Sequence, residues 1–232
     1  MARDYLIDPR LSLLGDNFHS KRLYISGKNY YHMVIYYSNV LKVISLYRAD
    51  YRAGFHVRKA ARLIGRTHPA LLPVLGRMED SGLLRYVVEG RNKVYYLNTS
   101  NIAAKELLAL AERAATLDLI QSAPIFKRLL EEIIDLGITA SIVVFGSQVK
   151  GYANAESDID LLVVGSITKE QKSVLTSLGR KYARDISIKT VIAEELAEGL
   201  RVKNPLLIEV AADHIVLTNP DVFLNALWKV RP

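Results

Sequence analysis

Five residues in the second half of the chain have the types and spacing to hold phosphates and a divalent cation: Gly146, Ser147, Asp158, Asp160 and Asp185. The run Val143-Val144-Phe145 is apolar and β-branched, reads as a buried strand from Ser141, and ends in Gly146-Ser147. Glycine lets the backbone turn sharply and approach a ligand. Ser147 is expected to cap a short helix from Gln148 to about Ala153, and a helix N-terminus suits a phosphate. Lys150 would add a compact positive charge there. After ten intervening residues, Asp158-Ile159-Asp160 opens a second apolar strand. Strand alternation puts both carboxylates on one face, with Cα atoms about 6.6 Å apart, and sends Ile159 and Leu161 to the other. Paired carboxylates share hard cations through oxygen. Such cations bridge phosphates and stabilise the attacking and leaving oxygens of an in-line displacement. The segment Arg184 to Val191 alternates polar and apolar residues and predicts a half-buried strand. Pairing beside the first two strands would bring Asp185 into the cluster, as a metal ligand and a general base for an acceptor hydroxyl. Lys189, on the same face, could meet phosphate.

Gly-Ser, ten residues, Asp-Ile-Asp and a later aspartate resemble the minimal nucleotidyltransferase branch of the superfamily that includes DNA polymerase β. The resemblance spans about residues 122 to 218. It implies a polymerase-beta-like fold, a mixed sheet flanked by helices, in an α/β (α+β) chain. It also implies transfer of a nucleoside monophosphate from a nucleoside triphosphate, ATP first among them, to a hydroxyl, with Mg2+ or Mn2+. Gly146, Ser147 and Lys150 would hold phosphates, and Asp158, Asp160 and Asp185 the metal. Gln148 stands where many relatives carry arginine, which implies a weaker phosphate grip.

The elements that must position these residues follow from periodicity. Asn39 to Tyr47 and Val57 to Ile64 read as helices, with Val40, Val43, Ile44 and Tyr47 on one face of the first and Val57, Ala60, Ala61 and Ile64 at helical spacing in the second. A third helix, with Leu71, Leu75 and Met78 inward, is expected to reach Ser81 and either to start late, near Leu71, or to be kinked, because Pro69, Pro73 and Gly76 weaken it. Leu84 to Val88 and Lys93 to Leu97 flank Glu89-Gly90-Arg91-Asn92 as a hairpin. This order, with Met78 to Arg85 and Val94 to Leu97, resembles a winged helix-turn-helix, which implies DNA binding. Arg66, His68 and Arg77 would contact DNA from the helix, and Arg85, Arg91 and Lys93 from the wing, most of them at phosphates. Residues 1–120 carry a net charge of +8 and residues 121–232 a net of −1, so the first half is the natural polyanion contact.

Four segments are expected: an N-terminal extension over 1–38, a winged-helix domain over 39–99, a connecting helix over 100–121 and the nucleotidyltransferase domain over 122–232. Tyr30, Tyr31, Tyr36 and Tyr37 read as packing aromatics. Leu107, Leu110, Ala111, Ala114 and Leu117 form an apolar stripe on the connecting helix that could pair with a second copy of the chain. The chain has no cysteine, and its five histidines are scattered without ligand spacing, which excludes a disulfide framework and argues against zinc. No apolar run reaches membrane-spanning length and no signal peptide is read, so a cytoplasmic protein without membrane contact is expected. The acceptor is open between RNA and a protein, the latter as in antitoxins that adenylate a partner toxin. The rival reading is a DNA-binding transcription regulator whose nucleotidyltransferase fold only senses a nucleotide or bridges subunits.

Overall fold

The computed structural model describes residues 38–154 and 157–230, so the aromatic cluster expected at Tyr30 to Tyr37 lies outside the described residues. Helix α1 covers 38–45, and Val40, Val43, Ile44 and Tyr47 are buried as the spacing predicts. A two-residue strand β1 (Phe55–His56) leads into α2 (Val57–Leu63), whose N-terminus is capped by His56 Nδ1 accepting from Lys59 N at 3.2 Å. Helix α3 (His68–Asp80) follows, then the hairpin β2 (Leu84–Glu89) and β3 (Asn92–Leu97). The register joins Glu89 to Asn92, leaving a two-residue loop whose first position, Gly90, has φ +61. A II′ hairpin turn demands glycine there. Strand β1 pairs with β3, giving the order β1-β3-β2.

Helix α3 starts at His68, not near Leu71. Pro69 sits in its first turn, where its missing N–H has no intrahelical partner to lose. Pro73 lies inside the helix, and the helix continues through it because Leu71, Val74, Leu75 and Met78 are all buried in the core below. Burying each such side chain contributes about 1.5–3 kcal/mol, enough to offset a lost hydrogen bond.

The remaining elements are α4 (Ile102–Ser122), α5 (Pro124–Asp135), β4 (Ser141–Phe145), α6 (Ser147–Lys150), β5 (Ile159–Val164), α7 (Lys169–Lys181), β6 (Ile186–Val191), α8 (Ala193–Arg201), α9 (Pro205–Ala212), β7 (His214–Thr218) and α10 (Pro220–Trp228). They form a mixed sheet of order β6-β5-β4-β7, with β5 and β6 parallel and the other pairs antiparallel. One face, carrying Ile142, Val144, Ile159, Leu161 and Ile186, packs on α5 and α7. The other, carrying Val143, Phe145, Leu162 and Val164, packs on α8, α9 and α10. Both faces are covered, so β4 and β5 are apolar at almost every position.

Helix α4 joins the two halves. Ala104, Leu108 and Ala111 enter the core of the first half, and Leu119 enters the core beneath the mixed sheet. Its inward face also carries Glu112, fully buried, so the buried side includes a residue outside the expected stripe. Leu110 and Leu117 of that stripe are exposed.

Candidate functional site

Strand β4 delivers Phe145 to its C-terminal end, directly opposite Asp160 of β5. Asp160 therefore shares a face with Phe145 and Leu162, the face turned toward α8–α10. Gly146 follows at φ +74 and ψ −147, a region open essentially to glycine alone. A Cβ at this position would lie 2.7 Å from Asp160 Oδ2. Glycine is thus required twice, once for the turn and once so that the half-buried Asp160 carboxylate can lie against the backbone.

Gly146, not Ser147, is the N-cap of the short helix, and the helix ends at Lys150 rather than near Ala153. The cause of the early stop is Gly151, left-handed at φ +78. Ser147 is consequently the first helical residue. Its hydroxyl, released from capping, has no hydrogen-bond partner among the described residues.

Gln148 has a structural role. Its Nε2 donates to the carbonyls of Ser157 at 3.2 Å and Asp158 at 3.1 Å, pinning the end of the connecting loop onto α6. Arg184 Nη1 in turn donates to Gln148 Oε1 at 3.3 Å. Sequence reasoning passed over this arginine, although its place beside Asp185 was a signal. The guanidinium therefore stands next to the Gly-Ser turn, on the Gln148 side chain.

Asp158 is exposed and precedes β5 by one residue. Asp185 is exposed and precedes β6 by one residue, and its carbonyl accepts from Ile159 N at 2.8 Å. Extending the parallel register Ile159↔Ile186 one step back sets Asp185 beside Asp158 at the strand ends. Gly179 of α7 keeps this corner tight, since a Cβ there would meet Arg184 O at 2.5 Å. Even so, among the described residues no three His, Cys, Asp or Glu side chains are grouped closely enough to hold a metal ion. The backbone brings Asp158, Asp160 and Asp185 to the same end of the neighbouring strands β5 and β6. Like charges near water separate unless a cation offsets their repulsion. The donor set is all oxygen, which fits a hard divalent cation.

Lys150 Nζ pairs with Glu209 Oε1 of α9 at 2.7 Å, so this cation is engaged by a carboxylate. That hydrogen bond to Glu209 raises its pKa. Lys189 Nζ lies 5.8 Å from the centroid of the Phe145 ring, on the carboxylate face.

In the first half, Arg66, His68, Arg77, Arg85, Arg91 and Lys93 are all exposed. Arg66 Nε donates to Asn39 Oδ1 at 3.1 Å, and Arg77 Nε to Pro73 O at 3.3 Å. Arg85 stands over the Tyr96 ring, and Arg91 is at the hairpin tip. Lys93 differs from the others: it pairs with Glu79 at 3.1 Å and lies 3.7 Å from the Tyr86 ring centroid, so its charge is largely met within the protein.

The buried polar group that sequence reasoning missed is Glu112. Its carboxylate accepts from Arg48 Nε and Nη2, both at 2.8 Å, and from His214 Nε2 at 3.1 Å. His214 Nδ1 meets the carbonyl of Ala211 at 3.1 Å. Both ring nitrogens thus face oxygen atoms. Burial alone would raise the Glu112 pKa, but His214 and Arg48 hold it down at about 2. His214 is the register partner of Phe145, so this network abuts the strand that ends in Gly146.

No helix among the described residues is long and apolar enough to cross a membrane. No curated protein and no solved structure matches the chain. Residues 126–217, from α5 to β7 and including every residue of the Gly-Ser turn and the three aspartates, match the family model described as "Nucleotidyltransferase domain", and the general chemistry of this part of the chain is nucleotidyl transfer.

Proposed function

We infer that the chain moves a nucleoside monophosphate from a nucleoside triphosphate, ATP first among them, to a hydroxyl of a protein or RNA acceptor. The observation that carries this reading is the contact between Gly146 and Asp160: a glycine-only backbone leaves room for a carboxylate beside the turn. Asp158 and Asp160 would hold Mg2+ or Mn2+, with Asp185 joining from the neighbouring strand. The cation, when bound, would neutralise phosphate charge and orient the triphosphate for displacement. Gly146 and the free Ser147 hydroxyl bind phosphate oxygens, and Arg184, held by Gln148, supplies positive charge nearby. Asp185 accepts the proton of the attacking hydroxyl. That oxygen bonds to the α-phosphorus, and pyrophosphate leaves.

The first half is a winged-helix module in this reading, binding DNA through Arg66, His68, Arg77, Arg85 and Arg91, with Lys93 contributing least because Glu79 already engages it. A DNA-binding nucleotidyltransferase of this kind suits an antitoxin that represses its own operon and modifies a partner toxin. The exposed Leu110 and Leu117 of α4 fit pairing of two copies. A second reading, a regulator that senses nucleotide without turnover, is favoured by one observation: the three carboxylates do not form a ready metal group.

Incubation with α-labelled ATP, magnesium, cell protein and RNA separates the two. Transfer of label to a discrete acceptor, abolished in Asp158→Ala and Asp160→Ala, supports the enzyme. Magnesium-dependent ATP binding with no transfer to any fraction supports the sensor.

A further inference from the structure

A cavity of about 550 Å3 lies away from the carboxylates, between residues 48–52, the α8–α9 turn and the C-terminal end of α10. None of Gly146, Ser147, Asp158, Asp160 or Asp185 lines it. Its floor is apolar, formed by Leu200, Pro205, Ile208, Ala211 and Leu227. The volume falls in the range of small-molecule sites, which favour such junctions.

The charges around this floor are unequal. Arg48, Arg52, Arg201 and Lys203 reach the wall, against the single carboxylate of Asp50. Three of these cations are engaged: Arg48 by Glu112, Arg52 by Asp50 at 3.5 Å, and Arg201 by Glu198 at 3.1 Å. The Lys203 ammonium has no partner among the described residues. Its backbone is left-handed at φ +57 because it closes α8, with Asn204 N donating to Gly199 O at 2.7 Å and Lys203 N to Leu200 O at 3.3 Å. Tyr51 supplies an aromatic wall, and its hydroxyl is shielded from solvent without a hydrogen-bond partner.

We propose that this cavity binds a small organic anion with a flat apolar body, its charge on Lys203 and its body between Tyr51 and Ile208. An inorganic anion would leave the apolar floor wet, and a neutral apolar molecule would leave the Lys203 ammonium unmatched. The site touches the nucleotidyl-transfer machinery at two removes. Arg48 Nη2 donates to the carbonyl of His214 at 2.9 Å, and His214 faces Phe145. Ile208 precedes Glu209, the partner of Lys150. The inference stands on the cavity alone and does not depend on the proposed reaction.

The probe is 8-anilinonaphthalene-1-sulfonate, a flat apolar anion, titrated by fluorescence into the full chain. N-phenyl-1-naphthylamine, the same body without the sulfonate, is the neutral control. One saturable site is expected, with the neutral dye binding at least about tenfold more weakly. Lys203→Asn removes the charge with a residue that tolerates the left-handed backbone. It should weaken the sulfonate at least about tenfold and leave the neutral dye unchanged. Ile208→Glu, at a position exposed enough to accept it, should weaken both dyes. Non-saturating binding, equal affinity for the two dyes, or unchanged affinity in both variants would overturn the proposal. Absence of sulfonate binding, as when another segment of the chain fills the cavity, would overturn it as well.

Discussion

Replacing Glu112 by glutamine keeps the shape of the side chain and removes its charge, in a place where Arg48 and His214 both bond to it. Arg48 makes two 2.8 Å bonds to this carboxylate, and His214 one at 3.1 Å. Glu112 is fully buried and the His214 side chain nearly so. Loss of one partner from such a buried cluster typically costs about 3–5 kcal/mol, because the charges left behind are desolvated. The pKa gives an independent figure: a fall from 4.5 to about 2 is worth roughly 3 kcal/mol in favour of the folded state. The sign is fixed by the direction. A carboxylate with a depressed folded pKa contributes its full stabilisation above pH 4.5 and loses it as the pH falls toward 2. Urea unfolding of wild type and Glu112→Gln should therefore differ by about 3 kcal/mol at pH 7. The gap should narrow steadily between pH 4.5 and pH 2. A gap below about 1 kcal/mol at pH 7, or one that does not change with acidification, would refute the buried-pair reasoning.

Other outcomes follow from the site. Gly146→Ala forces a left-handed alanine and sets its Cβ against Asp160 Oδ2, so it should lose about 1–3 kcal/mol of stability and most nucleotide binding. Gly151→Ala, with left-handed φ but open space around it, should lose about 1 kcal/mol and bind nucleotide normally; thermal unfolding and ATP titration compare the two. Lys150→Ala breaks only a solvent-accessible ion pair with Glu209, which contributes little to stability. A fall in ATP affinity without a change in melting temperature would assign Lys150 to phosphate, and unchanged affinity would leave it as a surface partner of Glu209. Leu110→Glu places a charge on the exposed face of α4. With two copies paired through this face as proposed, sedimentation should show a dimeric wild type and a monomeric variant, and identical sedimentation would remove that face from the interface.

Much of this architecture was legible where one residue pattern admitted one solution. The β-branched runs at Ser141–Phe145 and Ile159–Val164 could only be buried strands, and the alternation after Asp185 is that of β6. The hairpin was marked by Gly90 between two β-rich segments. The two-residue β1 carries too little sequence to show a period, and only its pairing with β3 defines it. Helix α4 has alanine and leucine on several sides, so periodicity did not fix its inward face. Glu112 was invisible for another reason: its partners lie 64 and 102 residues away, and nothing local distinguishes a buried carboxylate from a solvated one. At the turn itself, residue types identified the Gly-Ser pair, but local capping preference placed the helix start one residue late. The close approach of Asp160 to Gly146 is a tertiary fact that moved it.

The most direct test uses ATP labelled in turn at the α- and γ-phosphate, incubated with magnesium and the cell's own protein and RNA. Nucleotidyl transfer predicts that the α-label enters an acceptor while the γ-label leaves as pyrophosphate. It also predicts that Asp160→Asn, which keeps the side-chain size beside Gly146, loses the α-signal while remaining folded. Transfer of the γ-label, or full α-labelling by Asp160→Asn, would contradict the account.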